Sequence, residues 1–120
     1  MVAQVDRFYR GGIYLAQLDP AKGAEVGKLR PVLVLTDQVL LDVRPPILFV
    51  CPLSSRSDPA YDALHVALPP RDGLQRPSWA LVEHCRAIAT RRVLTDRLGS
   101  ITDAELHEIV RRLGRMVGAT

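Results

Sequence analysis

The sequence predicts a mainly β chain closed by one α-helix, folded as a small curled antiparallel barrel with helical decoration. Five or six short apolar runs, several rich in β-branched residues, are spaced by polar segments punctuated with Gly and Pro. Behind them the last stretch changes from a two-residue to a helical period. No repeat, low-complexity tract or interdomain linker divides the chain. Its 120 residues are expected to form one domain with one core, small enough that burying a further face in a homodimer would help.

Gly11 to Leu18 (GGIYLAQL) sets Ile13, Leu15 and Gln17 on one side and Tyr14, Ala16 and Leu18 on the other. Both faces therefore meet something other than water, as in a first strand inside a sheet. Pro31 to Thr36 (PVLVLT) is continuous and β-branched, the pattern of a strand buried on both faces. Asp37 to Pro46, with Val39, Leu40 and Leu41 ahead of two prolines, reads as a short helical turn or excursion. Ile47 to Leu53 (ILFVCPL) is a third apolar strand, where Pro52 predicts an edge or a bulge at which pairing stops.

After a polar turn over Arg56 to Tyr61, Ala63 to Leu68 alternates as a half-buried strand containing His65. The loop 69–77, PPRDGLQRP, has the punctuation of a mobile surface connection. Ser78 to Ile88 (SWALVEHCRAI) resumes β character with Glu83, His84 and Arg86 interrupting it. Val93, Leu94 and Leu98 belong to an ambiguous last short strand. Thr102 and Glu105 then spell a T-x-x-E capping box. Leu106, Ile109, Val110, Leu113 and Val117 follow at helical spacing, leaving His107, Glu108, Arg111, Arg112 and Arg115 as a solvated outer stripe.

The net charge of +3 is mild, +1 over residues 1–60 (seven basic, six acidic) and +2 over 61–120 (nine basic, seven acidic). Nucleic-acid binding would need local placement of cations rather than a global field. Few aromatic residues argue against extensive base stacking and for short, selective recognition of an unpaired segment. No apolar run approaches the roughly 20 residues that span a bilayer, and MVAQVDRFYR lacks a signal peptide's apolar core, so a cytoplasmic protein is expected. Cys51 and Cys85, without CxxC spacing, read as buried free thiols.

Between the first two strands lies Asp19 to Pro31, DPAKGAEVGKLRP. Gly23 and Gly27 give this loop its freedom, Pro20 and Pro31 stiffen its ends, and Arg30 stands where the chain becomes β again. A guanidinium rooted at a strand end is held firmly, and its planar fork suits phosphate oxygens. The residues alone leave two readings open for Arg30: an anion site, or a strand-end salt bridge with Glu25 or Asp37.

With its flanks, GGIYLAQLDPAKGAEVGKLRPVLVLTD, the same stretch resembles the start of the MazF/PemK family of type II toxin endoribonucleases, and VCPLSS and LVEHCRAI resemble the family's two later signatures. The resemblance covers nearly the whole chain. It implies an SH3-like antiparallel barrel of the MazF/CcdB type, a homodimer, and metal-independent, sequence-specific cleavage of single-stranded RNA to a 2',3'-cyclic phosphate and a 5'-hydroxyl. It also implies a MazE-like antitoxin partner whose acidic extended segment blocks the RNA groove. No cofactor is implied, and Asp19, Asp37 and Asp42 form no metal-ligand pattern.

Such cleavage needs activation of a 2'-OH, stabilisation of charge at phosphorus and a proton for the departing oxygen. Arg30 matches the arginine of the family's GxxRP motif. Ser54 stands where the family usually carries threonine, keeping the hydroxyl and losing the methyl that restricts χ1. Ser55 and Arg56 follow it as substrate-binding candidates. Glu25 and Lys28 match the loop that borders the RNA groove; each is also readable as a solvated loop charge.

Glu83 and Arg86 match the acidic and basic residues of a (D/E)QxR segment, Glu83 as a substrate contact and Arg86 as a structural or dimer-related residue rather than a catalytic one. His84 falls where many members carry an amide. It reads as a base contact, as a partly buried histidine bonded to backbone, or as a proton carrier. Two rival functions stay open: a toxin of the same barrel that binds DNA gyrase and cuts nothing, and a catalytically silent RNA-binding domain.

Overall fold

A computed structural model describes residues 7–119; the segment 1–6, which holds most of the stretch read above for a signal peptide, lies outside the described residues. The elements are β1 (Gly12–Gln17), β2 (Leu29–Val34), α1 (Gln38–Leu41), β3 (Ile47–Ser54), β4 (His65–Leu68), β5 (Ser78–Leu81), β6 (Arg86–Ala89), β7 (Gly99–Ser100) and α2 (Asp103–Met116). Short 3-10 turns occupy Pro59–Tyr61, Val82–His84 and Thr90–Arg92. All strand pairs are antiparallel, in the order β4-β5-β3-β2-β1-β7 with β6 branching from β3. The mainly β fold with a C-terminal helix is as expected, and the curled sheet is a half-barrel whose path ends at β4 and β7.

Strand β3 is the pivot of the sheet. One edge pairs with β2, matching Leu33 to Cys51 and Val34 to Val50. Its other edge pairs first with β6, from Ile47 opposite Ala89 to Val50 opposite Arg86, and then with β5 at Leu53 and Ser54. Pro52 lacks an N–H and stands at the exchange of partners, so pairing changes hands there and the strand runs on to Ser54. A single β stretch over 78–88 cannot follow that exchange. The chain leaves β5, turns through Val82–His84 and re-enters as β6.

Because alternate residues face opposite ways, β3 feeds two cores. Leu48 and Val50 pack with Tyr14, Leu18, Val32 and Ile88. Cys51 and Leu53 pack on the other face with Ile13, Leu33, Val82 and Ile109. Helix α2 covers that second face. Its capping box forms as read: Thr102 Oγ1 accepts from Glu105 N at 3.1 Å, and Glu105 Oε1 accepts from Thr102 N at 2.8 Å.

Ile109 is fully buried, whereas Val110 and Val117 are 39% and 65% exposed, so the buried stripe is narrower than the periodicity implied. Arg112 leaves the outer stripe altogether. Its Nη1 donates to the carbonyls of Asp62 and His65 at 2.8 and 2.7 Å, tying α2 to β4.

The loop 69–77 is pinned, contrary to its punctuation. Arg71 makes a bidentate pair with Glu105 at 2.6 and 2.7 Å and donates to Ser100 O, while Gly73 N donates to Leu98 O at 2.7 Å. A Cβ at Gly73 would sit 2.3 Å from that same carbonyl oxygen, so only glycine permits the approach. The whole stretch 69–77 is thereby fixed against β7 and α2.

Candidate active site

Where β2 begins, β3 ends and the pinned loop passes, they enclose a cavity of about 520 Å³. Lys28 and Arg30 line it from the first side, Ser54 and Ser55 from the second, and Gln75 and Arg76 from the third. None of the lining residues is acidic. Three cationic side chains and the hydroxyls of Ser54, Ser55 and Ser78 therefore converge on one concave surface with no carboxylate in its lining, the Ser78 hydroxyl being spent on the Arg76 carbonyl at 3.3 Å.

The loop between β1 and β2 fixes the first wall. Asp19 Oδ1 accepts from Lys28 N at 2.8 Å, and Arg92 clamps the loop's base through the carbonyls of Gln17 and Asp19, at 3.0 and 2.6 Å. Lys28 adopts a left-handed backbone with φ of 70°, a conformation that costs a non-glycine residue on the order of 1 kcal/mol and so is held by these contacts. At Gly27 a Cβ would lie 2.3 Å from Asp19 Oδ1 and 2.7 Å from Ala21 Cβ. The glycine lets the loop close on itself.

Arg30, opposite Ala16 in the ladder, donates through Nε to the Gly27 carbonyl at 2.8 Å. It makes no ion pair among the described residues, neither with Glu25 nor with Asp37. Anchored at Nε, the guanidinium keeps Nη1 and Nη2 for a ligand in the cavity.

Ser54 is the last residue of β3, set opposite Trp79 of β5. Its Oγ accepts from Arg56 N at 3.1 Å, a local turn that leaves the hydroxyl proton available to an acceptor. Ser54 and Arg30 thus stand on one cavity, though 24 positions separate them in sequence.

The other candidates lie outside the lining. Glu25 Oε1 accepts from Lys22 N at 2.8 Å, a contact within the loop rather than with Arg30. Arg56 is exposed just beyond Ser55. His84 is half-buried in the turn before β6 and makes no side-chain hydrogen bond among the described residues.

Glu83 is taken by His65. Their Oε2 and Nε2 atoms are 2.6 Å apart, and His65 Nδ1 lies 2.8 Å from Ser57 Oγ. His65 is buried and stacked on Tyr61, so a histidine read only as a strand residue joins the turn after β3 to the turn before β6. Arg86 donates to Leu18 O at 3.4 Å. Sequence reasoning missed Gln75 and Arg76, whose one visible signal was a cation flanking the Gly-Leu pair of the third loop.

Comparison with known proteins bears on the family and the fold. The family described as PemK-like, MazF-like toxin of type II toxin-antitoxin system matches residues 9–117. Endoribonuclease EndoA of Bacillus subtilis (strain 168) is 32% identical over 101 residues, covering 83% of this chain and 85% of that protein. The crystal structure of MazF from Deinococcus radiodurans (Form-I) superposes with a TM-score of 0.74 at 27% identity, covering 98% of both chains. A MazE-MazF structure from the same organism (Form-II) gives 0.70 at 26% identity, covering 92% of this chain and 96% of the other. The motifs, the half-barrel and these matches together assign the chain to the PemK-like, MazF-like toxin family of type II toxin-antitoxin systems.

Proposed function

We propose that this chain is a sequence-specific endoribonuclease toxin that cuts single-stranded RNA without a divalent metal and is neutralised by a cognate MazE-like antitoxin. The observation that carries the reading is the cavity with Lys28, Arg30 and Arg76 on its walls beside the hydroxyls of Ser54 and Ser55 and no acid. A phosphodiester is the ligand such a surface fits. Endonuclease action by a homologous protein is named in EndoA, and a MazE partner in the Deinococcus complex.

In the reaction the 2'-OH loses its proton and attacks the adjacent phosphorus, and the bond to the 5'-oxygen breaks as that oxygen takes up a proton. A cyclic 2',3'-phosphate and a 5'-hydroxyl result. Negative charge builds on the non-bridging oxygens as phosphorus becomes pentacoordinate. Arg30 Nη1 and Nη2 are set to receive it, and the fixed Nε–Gly27 bond spares reorganisation at that moment. Ser54 donates its hydroxyl to a phosphate oxygen and orients the scissile bond. Lys28, Ser55 and Arg76 hold neighbouring nucleotides, while Gln75 offers an amide to a base edge. Glu25, three residues before Lys28, and Arg56, two residues after Ser54, are assigned to RNA beyond the scissile phosphate.

Among the described residues no helix is long and apolar enough to cross a membrane. We place the protein in the cytoplasm, where its RNA is, and assign it a homodimer. Val39 and Leu40 of α1, Val43 just after it, and Ile47 and Phe49 of β3 expose apolar side chains that a second copy would cover. The antitoxin's acidic segment competes with RNA for the cationic cavity.

The test is incubation of purified protein with a mixed long RNA in EDTA, followed by mapping of new 5' ends. Discrete cuts bearing 5'-hydroxyls within one short motif are expected. Intact but bound RNA would make the chain a silent RNA-binding member, and neither cutting nor binding would leave the gyrase-binding reading.

A further inference from the structure

Cys51 and Cys85 lie outside the cavity, yet they meet each other. The β3-β6 ladder ends with Val50 opposite Arg86. Cys51 follows that pair on one side, Cys85 closes the turn just before it on the other, and the two thiols are in hydrogen-bond contact. A disulfide forms between residues whose Cα atoms lie roughly 4.4–6.8 Å apart, a span within reach of two thiols that already touch. Their side chains point to one face. Val50 faces the first core, whereas Cys51 belongs to the second, and Cys85 packs against that same cluster.

We propose that Cys51 and Cys85 form a modification site in which a peroxide closes an intramolecular disulfide between β3 and the turn that precedes β6. Cys85 is partly exposed and Cys51 is buried, so oxidant meets Cys85 first. The Cys85 thiolate attacks one oxygen of hydrogen peroxide, the O–O bond breaks and hydroxide leaves, giving a sulfenic acid. Cys51 sulfur, losing its proton, then attacks Cys85 sulfur; the S–S bond forms, the S–O bond breaks and the departing hydroxide is protonated to water. Two thiols are oxidised by two electrons, and one peroxide is reduced to two waters.

The hydrogen bond to Cys85, then burial, raise the Cys51 thiol well above its ordinary range. The second step therefore quickens as pH rises, and Cys85 waits as the sulfenic acid at low pH. Once closed, the bridge ties β3 three residues before Ser54 to the turn carrying Glu83 and His84.

The experiment treats the reduced full-length protein with hydrogen peroxide and reads intact mass, non-reducing gels and peptide maps. A loss of about 2 Da in a monomer band, with the Cys51 and Cys85 peptides joined and dithiothreitol restoring both, is expected. The melting midpoint should rise by roughly 10 °C as the bridge closes its long loop. Cys85→Ser should abolish the mass loss. Cys51→Ser should stop at a Cys85 sulfenic acid that dimedone captures, a readout that survives even if the core is loosened.

Cross-linking between chains would overturn the proposal. So would gains of about 16 or 32 Da on Cys85 without a joined peptide in the folded parent protein at alkaline pH, where the second step is fast. None of these readouts depends on RNA cleavage, so they stand apart from the nuclease reading.

Discussion

Replacing Arg30 with alanine separates catalysis from folding, because the two losses differ in size. Among the described residues the side chain makes one hydrogen bond, from Nε to Gly27 O at 2.8 Å. Its removal costs about 1 kcal/mol and lowers the melting midpoint by only a few degrees. At the transition state both Nη groups and the charge are lost. One such donor is typically worth about 10²–10³ in rate, so Arg30→Ala should fall at least about 10³-fold in single-turnover cleavage of a saturating short RNA. Arg30→Lys keeps a unit charge but gives up the Gly27 anchor and the planar pair of donors, so it should recover only part, remaining roughly 10- to 100-fold slow. A folded Arg30→Ala protein cutting within about threefold of the parent rate would refute this role for the guanidinium.

Ser54→Ala should slow cleavage by about 10- to 100-fold with little change in stability, whereas Ser54→Thr should hold the parent rate; equal rates for all three would remove the hydroxyl from the account. Gly27→Ala forces a Cβ toward Asp19 Oδ1, 2.3 Å away, and should cost about 1–3 kcal/mol in urea unfolding together with cleavage, as the Lys28–Arg30 wall shifts. Arg71 holds the Glu105 carboxyl below its ordinary range through a pair whose side chains are 16% and 17% exposed. The sign follows directly: this stabilisation is complete above the unfolded value of 4.5 and fades as pH falls through the lower folded value. Arg71→Ala should flatten that acid limb of stability, and a parent-like limb would contradict the assignment. His65→Phe leaves the Glu83 carboxylate without its partner and should destabilise by about 2–4 kcal/mol, measured by urea melts.

How far the sequence carried depended on how local each cause was. β1, β2 and β3 are written in alternation and in continuous apolar runs, and the start of α2 in Thr102 and Glu105, all of which act within a few residues. The turn at Val82–His84 is not written there. SWALVEHCRAI has the apolar content of one strand, and it breaks because β3 exchanges β6 for β5 on one edge, a tertiary event.

The same distinction runs through the candidate site. Arg30 and Ser54 were legible because each stands at a strand end within a motif. Arg76 was not, since what aims its loop at the cavity is Arg71 gripping Glu105, 34 residues on, and Gly73 resting on Leu98. Glu83 reads as a substrate contact by its motif; only the fold shows His65 against it. Arg112 likewise looked solvated by periodicity until β4 supplied carbonyl partners.

The central claim is that one phosphodiester sits between Arg30 and Ser54. The most direct measurement follows backbone amide shifts of isotope-labelled protein as a short RNA is added, its scissile 2'-OH replaced by hydrogen so that it binds uncut. Shifts concentrated at 28–31, 53–55 and 73–76 are expected, with Arg30→Ala weakening the titration. Shifts centred instead on the Arg111 and Arg115 face of α2, with the cavity silent, would contradict the account.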